Sequence, residues 1–422
     1  MFNYIRKIFS NDDYKRIIDN IISLFGLQGF NYLMPLITFP YLTRVLGPDN
    51  YGLLAFALAF IGYFQILTDY GFNLSATRAI SINRNDNSKV SEIYSSVMVS
   101  KAILMIISFC LMTFIVSSFD KFRNDWLLYF FTFGLVFGNL LLPTWFFQGM
   151  EKMRYISILN ICIGLIYTIF LFIFVRNKSD YIYVPLINSM GTIIVGLYAL
   201  SLVHREFNIK FCKPSMESIK NQLKDGWHLF ISNMAISLYT TSNRFILGFF
   251  VSNYILGYYA VAETIVKALQ GLISPISQAI YPYISKLQSE NKQKAIKQFK
   301  KILMLIGLLS FLISVLLVFC SPLLVELLAG SAYTSSIPLL QVMVFIVFAV
   351  GVNNILGIQG LVAFGYQKKF TKIVIFTGII HIFLLIFLIV ILGAMGAAIT
   401  VVITELIICL LMYLSLRRLK IL

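Results

Sequence analysis

Apolar runs long enough to cross a bilayer recur from Ile17 to Leu416, separated only by short polar breaks. One of them, "ILMLIGLLSFLISVLLVFC" (Ile302–Cys320), contains no charged residue. About 20 such residues span a hydrocarbon core of ~30 Å as a helix. A chain that repeats this pattern must satisfy its backbone polar groups inside its own helices. The runs predict twelve spans, over 18–43, 51–79, 93–119, 126–148, 155–175, 181–203, 227–251, 254–282, 302–325, 337–363, 370–391 and 394–416. Composition agrees, with 59% hydrophobic and 12% charged residues, against roughly 25% charged in a soluble domain. The predicted fold class is an all-α integral membrane protein.

A net charge of +16 raises the question of nucleic acid. Most of the 34 Lys and Arg fall in alternate connections: 1–17, 78–92, 149–155, 204–226, 283–301, 364–372 and the tail after Leu416. That is a positive-inside bias, which predicts that both termini are cytoplasmic. It is not the single basic face that nucleic-acid binding requires. The opening "MFNYIRKIFSNDDYKR" lacks an apolar core with a small-residue cleavage site, so no removable signal peptide is expected. Five cysteines without a CxxC pattern predict neither a disulfide framework nor a zinc site.

The longest connection, 204–226, falls after six spans and divides the chain into an N-terminal half (1–203) and a C-terminal half (227–422). Its "KPSMESIKNQLKDG" reads as a short amphipathic surface helix that ends before Gly226. The halves carry a weak repeat. "YGLLAFALA" (Tyr51–Ala59) matches "LGYYAVAET" (Leu256–Thr264), pairing Gly52, Ala55 and Ala57 with Gly257, Ala260 and Ala262. "FQGMEKMRYI" (Phe147–Ile156) similarly matches "IQGLVAFGYQKKF" (Ile358–Phe370) with a small insertion. Same-orientation matches six spans apart predict parallel repeats.

Charges within spans cost roughly 2.5 to 3.5 kcal/mol each on insertion scales and are functional candidates. Glu263, Lys267, Gln270, Ser274 and Gln278 lie on one helical face, as do Asn233, Ser237, Thr241 and Arg244. Gln65, Asp69 and Asn73 form a third stripe. Three such stripes predict a shared aqueous cavity, made basic by Arg44, Arg244, Lys267 and Lys101. Guanidinium and ammonium groups in low dielectric suit an anion, above all a phosphate. Asp69, Glu263 and Glu405 are candidates to bind a coupling proton or Na⁺. Arg78 reads first as a snorkelling anchor and second as a headgroup contact. Pro35 and Pro40 predict a bent first span, with Gln28, Asn31 and Thr38 on one face and "GPDNYG" as the turn that follows.

Catalytic signatures are absent. His204, His228 and His381 are far apart, and there is no GxxxxGK[ST], HExxH or GxSxG.

The stretches "NYLMPLITFPYLTRVLGPDNYGLLAFALAF", "LTDYGFNLSATRAIS" and "WFFQGMEKMRYISILN" resemble the Wzx-type polysaccharide flippases of the multidrug/oligosaccharidyl-lipid/polysaccharide exporter superfamily. The resemblance implies two six-helix lobes around a central cavity that opens alternately to each side of a bacterial cytoplasmic membrane. It implies a substrate, undecaprenyl diphosphate carrying an oligosaccharide repeat unit for O-antigen or capsule. It also implies a polysaccharide polymerase and chain-length proteins as partners, and no cofactor. Lys267, Arg244 and Lys101 are the cavity cations placed to hold the diphosphate, while Asp69, Asn73 and Arg78 fall inside the family-like motif. Two other readings remain: an ion-coupled exporter of small cationic drugs, which calls for an acid-rich cavity, and an integral-membrane enzyme of glycan assembly.

Overall fold

A computed structural model describes the backbone of residues 12–271, 280 and 284–422. Side chains are described from Met34 onward, apart from those of Leu238 and Tyr239. Ser274 and Gln278, and the side chains of Gln28 and Asn31, therefore lie outside the described residues.

Every regular element among the described residues is helical. Helix α1 (Asp12–Asp69) leads to α2 (Phe72–Asn83), α3 (Asn87–Ser118), the single turn α4 (Asp120–Arg123), α5 (Trp126–Leu141), α6 (Thr144–Gly149), α7 (Met153–Phe174) and α8 (Tyr183–Phe207). Then come α9 (Met216–Thr240), α10 (Ser242–Phe250), α11 (Asn253–Gly271), α12 (Lys292–Leu328), α13 (Ser336–Met343), α14 (Phe345–Asn354), a π-helical turn (Ile355–Val362) and α15 (Gln367–Arg418).

Eight of the described helical stretches are long and apolar enough to span a membrane. Two of them, Met34–Asn83 with 50 residues and Gln367–Arg418 with 52, have length for two passes each. Each is broken at a glycine, Gly47 (φ 72°, ψ 174°) and Gly393 (φ 59°, ψ −133°), and the first is interrupted again at Tyr70 and Gly71. These backbone angles lie where an L side chain is strained, so glycine is what permits both breaks. Helix α1 stays helical through Pro35 and Pro40 and departs only at Gly47. The chain thus leaves helical geometry at the expected "GPDN" turn. Long apolar side chains such as Phe319, Met304 and Phe383 remain outward-facing, as lipid contact requires.

The chain forms two compact units. Unit one comprises Met1–Phe39 and Phe60–Met234. Its core is aromatic, with Phe72, Trp145, Phe146 and Phe147 fully buried around Ala76 and Ile80 of α2. Here α1 ends at Asp69 because Tyr70 and Gly71 both adopt left-handed backbone (φ 46° and 80°). The break takes Asn73 out of the helical register of Gln65 and Asp69, so the third polar stripe is not continuous. The same turn explains α9, which does not stop before Gly226 but runs on to Thr240. A Cβ on Gly226 would stand 2.8 Å from the Tyr70 carbonyl oxygen. The glycine is used for a close approach, not for a helix end.

Unit two comprises Pro40–Ala59 and Ala235–Leu422. Within it, the two copies of the first repeat pack on each other. A Cβ on Gly52 would collide with the carbonyl of Asn253, and a Cβ on Gly257 with the carbonyl of Pro48. Each glycine faces the counterpart of its own neighbour, the reciprocal contact of a local two-fold relation. The second repeat is also used alike in both units. Lys152 N–H donates to Phe147 O at 2.8 Å across left-handed Glu151 (φ 55°), and Tyr366 N–H to Leu361 O at 2.7 Å across Gly365 (φ 88°). Both are six-to-one bonds closing a helix end.

Candidate functional site

In unit two, α10 and α11 bring three charges together. Glu263 is almost fully buried, and its Oε1 accepts from Lys267 Nζ at 2.7 Å. Its Oε2 accepts from Arg244 Nε, and Arg244 Nη2 also donates to Thr264 Oγ1 (3.0 Å) and Ala260 O (3.3 Å). One carboxylate therefore serves two cations, and the cluster keeps one net positive charge. The cations differ in freedom: the Arg244 side chain is 19% exposed and fully engaged, that of Lys267 52% exposed. The i, i+4 order of Glu263 and Lys267 suits a helix pair.

Glu263, Lys267 and Gln270 line one cavity of about 90 Å³, whose other wall includes His381, Thr404 and Glu405 of α15. At roughly 10–15 Å³ per enclosed water, it holds a handful of waters or an ion, not an oligosaccharide. Glu405 also borders a second cavity of about 170 Å³. Its Oε2 accepts from Asn353 Nδ2 at 2.6 Å, and no cationic side chain among the described residues lies within ion-pair distance of it. Asn353 lies two residues before the start of the π-helical turn, a local geometry often found at functional sites.

In unit one, two sequence candidates of different proposed roles are a single ion pair: Lys101 Nζ donates to Asp69 Oδ1 at 2.9 Å. The Lys101 side chain is 2% exposed and that of Asp69 26%. Asn73 and Asn233 are exposed. Arg78 is exposed and borders an open cavity of about 590 Å³ together with Asn83 and Asp225. Arg44 donates to Leu327 O (2.5 Å) and Pro40 O (3.4 Å), while Thr43 donates to Leu328 O. The guanidinium thus covers carbonyls at the C-terminus of α12, where a cation is favoured by the helix dipole.

His381 is the site residue that sequence reasoning passed over. It is 1% exposed, with Nδ1 2.8 Å from Thr404 Oγ1 and Nε2 2.9 Å from Asn243 Oδ1. A signal existed in the spacing: Thr377 and His381, and Thr400 and Thr404, are i, i+4 polar pairs inside apolar spans. Among the described residues, no group of three or more His, Cys, Asp or Glu is placed to hold a metal ion.

The fold is that of transporters of the MOP superfamily. An inward-facing multidrug resistance MATE family transporter aligns over 92% of this chain and 94% of its own, with TM-score 0.71 and 15% identity. The lipid II flippase MurJ, in an inward closed conformation, aligns over 95% and 87%, with TM-score 0.71 and 14% identity. At the sequence level, the family described as "Polysaccharide biosynthesis protein" matches residues 17–288. Two proteins named "Putative O-antigen transporter" align over nearly the whole chain. The Escherichia coli (strain K12) protein is 37% identical over 406 residues, covering 96% of this chain and 97% of its own. The Shigella dysenteriae protein is 30% identical over 398 residues, covering 93% and 98%. The chain belongs to this polysaccharide biosynthesis family and is a multi-pass membrane protein.

Proposed function

We infer that the protein is a flippase for a lipid-linked oligosaccharide. It moves undecaprenyl-diphosphate-linked repeat units from the inner to the outer leaflet of a bacterial cytoplasmic membrane, by exposing a polar path alternately to the two sides. Carrying sugars and a diphosphate through hydrocarbon without polar partners is prohibitive. The observation that carries the reading is the Arg244–Glu263–Lys267 cluster, a net cation inside a membrane-spanning unit whose lysine is half exposed beside a small polar cavity. Such a group offers a diphosphate an ammonium without first breaking a buried pair. The names of the two near-full-length relatives supply the polysaccharide context. Both termini then face the cytoplasm, and a polymerase and chain-length proteins are the partners downstream.

Purified protein in proteoliposomes, loaded with fluorescently labelled undecaprenyl-diphosphate oligosaccharide, tests the reading. Acceleration of lipid exchange between leaflets is expected. No acceleration over empty liposomes refutes it. One observation favours a second reading: Glu263 and Glu405 both line the unit-two cavity, as an exporter of organic cations would require. Transport of a cationic dye but not of the lipid would select that alternative.

A further inference from the structure

The unit-two cavity of about 90 Å³ is too small for an oligosaccharide, which leaves the sugars of a lipid-linked substrate without a place. Unit one offers one. The cavity between α2 and α9 measures about 590 Å³, within the ~300–1,000 Å³ usual for a small-molecule site. Its polar groups include Arg78 and Asn83 of α2 and Asp225 of α9, set among Leu74, Ile82 and Leu229. Among the described residues, no hydrogen bond or ion pair engages the Arg78 guanidinium or the Asp225 carboxylate. The two line one cavity yet lie beyond ion-pair distance of each other. Asn83 donates one amide proton to Ala79 O at 2.8 Å.

The walls are fixed before any ligand arrives. Helix α2 turns Phe72, Ala76 and Ile80 into the core of unit one, so helical spacing puts Leu74, Arg78 and Ile82 on the opposite face. Its N-terminal end is pinned to α9. A Cβ on Gly71 would stand 2.6 Å from Leu229 Cβ, and the Tyr70 ring stacks on Phe230 with centroids 4.8 Å apart. Tyr70 holds left-handed backbone (φ 46°) there, a conformation that a side chain disfavours. Strain kept beside a cavity marks a preorganised site. The charge balance then selects the ligand. One guanidinium and one carboxylate cancel, and the next base along the chain, Arg84, is already paired with Glu151 at 2.6 Å. A diphosphate meets repulsion from Asp225 as well as attraction from Arg78, and is better served by the spare charge at Lys267. A sugar ring fits instead. Its hydroxyls donate to the carboxylate and accept from the guanidinium and amide, while its C–H faces rest on the aliphatic side chains.

We propose that this cavity is the sugar-recognition site for the lipid-linked substrate. Asp225 and Asn83 read hydroxyl groups, and Arg78 reads a ring substituent that accepts hydrogen bonds. The assignment rests on the flippase reading above and adds a division of labour, with the diphosphate held in unit two and the glycan in unit one. It also gives Arg78 a sugar rather than a headgroup to meet. On the proposed orientation the cavity lies at the cytoplasmic end of unit one, where the substrate is loaded.

Two measurements on the purified full-length protein test this. The first is equilibrium binding of two probes: undecaprenyl diphosphate, and the same lipid carrying the repeat unit of the source strain's surface polysaccharide. In wild type the glycan is expected to raise affinity by roughly tenfold or more, as one or two hydrogen bonds to charged groups would. Asp225→Ala should remove that increment and Asn83→Ala part of it, with melting temperatures close to wild type because Asp225 is exposed. An increment that survives in Asp225→Ala, or no increment in wild type, overturns the site and leaves the diphosphate reading intact. If Arg78→Gln weakens the bare lipid as much as the glycosylated one, the cavity holds a phosphate headgroup, and the sugar assignment is again overturned. The second measurement is saturation-transfer NMR with the lipid-free oligosaccharide, which requires no transport. Ring-proton signals are expected with wild type and lost with Asp225→Ala; silence with wild type overturns the site. Failure of wild type to bind or flip either lipid refutes the transport reading, while the NMR result still decides the sugar site.

Discussion

The two units solve the problem of a charged residue in a membrane differently. Unit one pairs one base with one acid, and Lys101 is sealed against Asp69. Unit two divides one acid between two bases and leaves Lys267 half exposed. A one-to-one buried pair is electrically closed, and a ligand can use it only by breaking it. A two-to-one cluster has charge to spare. Under the proposed function, the contrast assigns Lys101 to holding helices together and Lys267 to meeting the ligand, although the two lysines look equivalent in sequence.

Exchanging the stoichiometry is the most forceful way to break this comparison. Lys267→Ala should abolish flipping in proteoliposomes, a loss of tenfold or more, while the thermal melting temperature in detergent stays within a few degrees. In unit one the pattern should invert. Lys101→Met leaves Asp69 without its cation and should destabilise the protein by about 2–4 kcal/mol, the lower end reflecting the partial exposure of Asp69. Adding Asp69→Leu should recover most of that loss, because replacing both members of a buried pair by apolar groups is often neutral. A double variant as unstable as the single one would mean that Lys101 acts through something other than its pair.

A subtler test lies within unit two. Arg244→Ala leaves Glu263 and Lys267 as a closed one-to-one pair, converting the cluster to the arrangement of unit one. Transport should fall less than in Lys267→Ala, and most of the loss should return in Arg244→Ala with Glu263→Gln, which frees the lysine again. The smallest effect belongs to Arg44. Its contacts are to the carbonyls that end α12, so Arg44→Ala should cost about 0.5–1 kcal/mol of stability and leave substrate affinity unchanged. A large drop in affinity would instead place Arg44 on the transport path.

What could be read from the sequence follows from the range of each interaction. The spans were legible because hydropathy is local, and Glu263, Lys267 and Gln270 because i, i+4 and i+7 on a helix must share a face. The glycine repeat was legible for the same reason, although its reciprocal packing was not. The pairing of Asp69 with Lys101, the bond from Arg44 to α12 and the clasp of His381 by Asn243 and Thr404 join residues 23 to 283 positions apart. No periodicity encodes these. The break at Tyr70 was hidden because a non-glycine residue adopts left-handed backbone there, beside a glycine that sequence alone reads as a tolerated helix interior.

The central claim is that spare positive charge at Lys267 receives the diphosphate. The most direct measurement is equilibrium binding of undecaprenyl diphosphate, without sugars, to purified wild-type protein, Lys267→Ala and Lys101→Ala. The account requires affinity to fall at least tenfold in Lys267→Ala and to change by less than twofold in Lys101→Ala once the folded fraction is matched. Equal losses in both, or a loss only in Lys101→Ala, would contradict it.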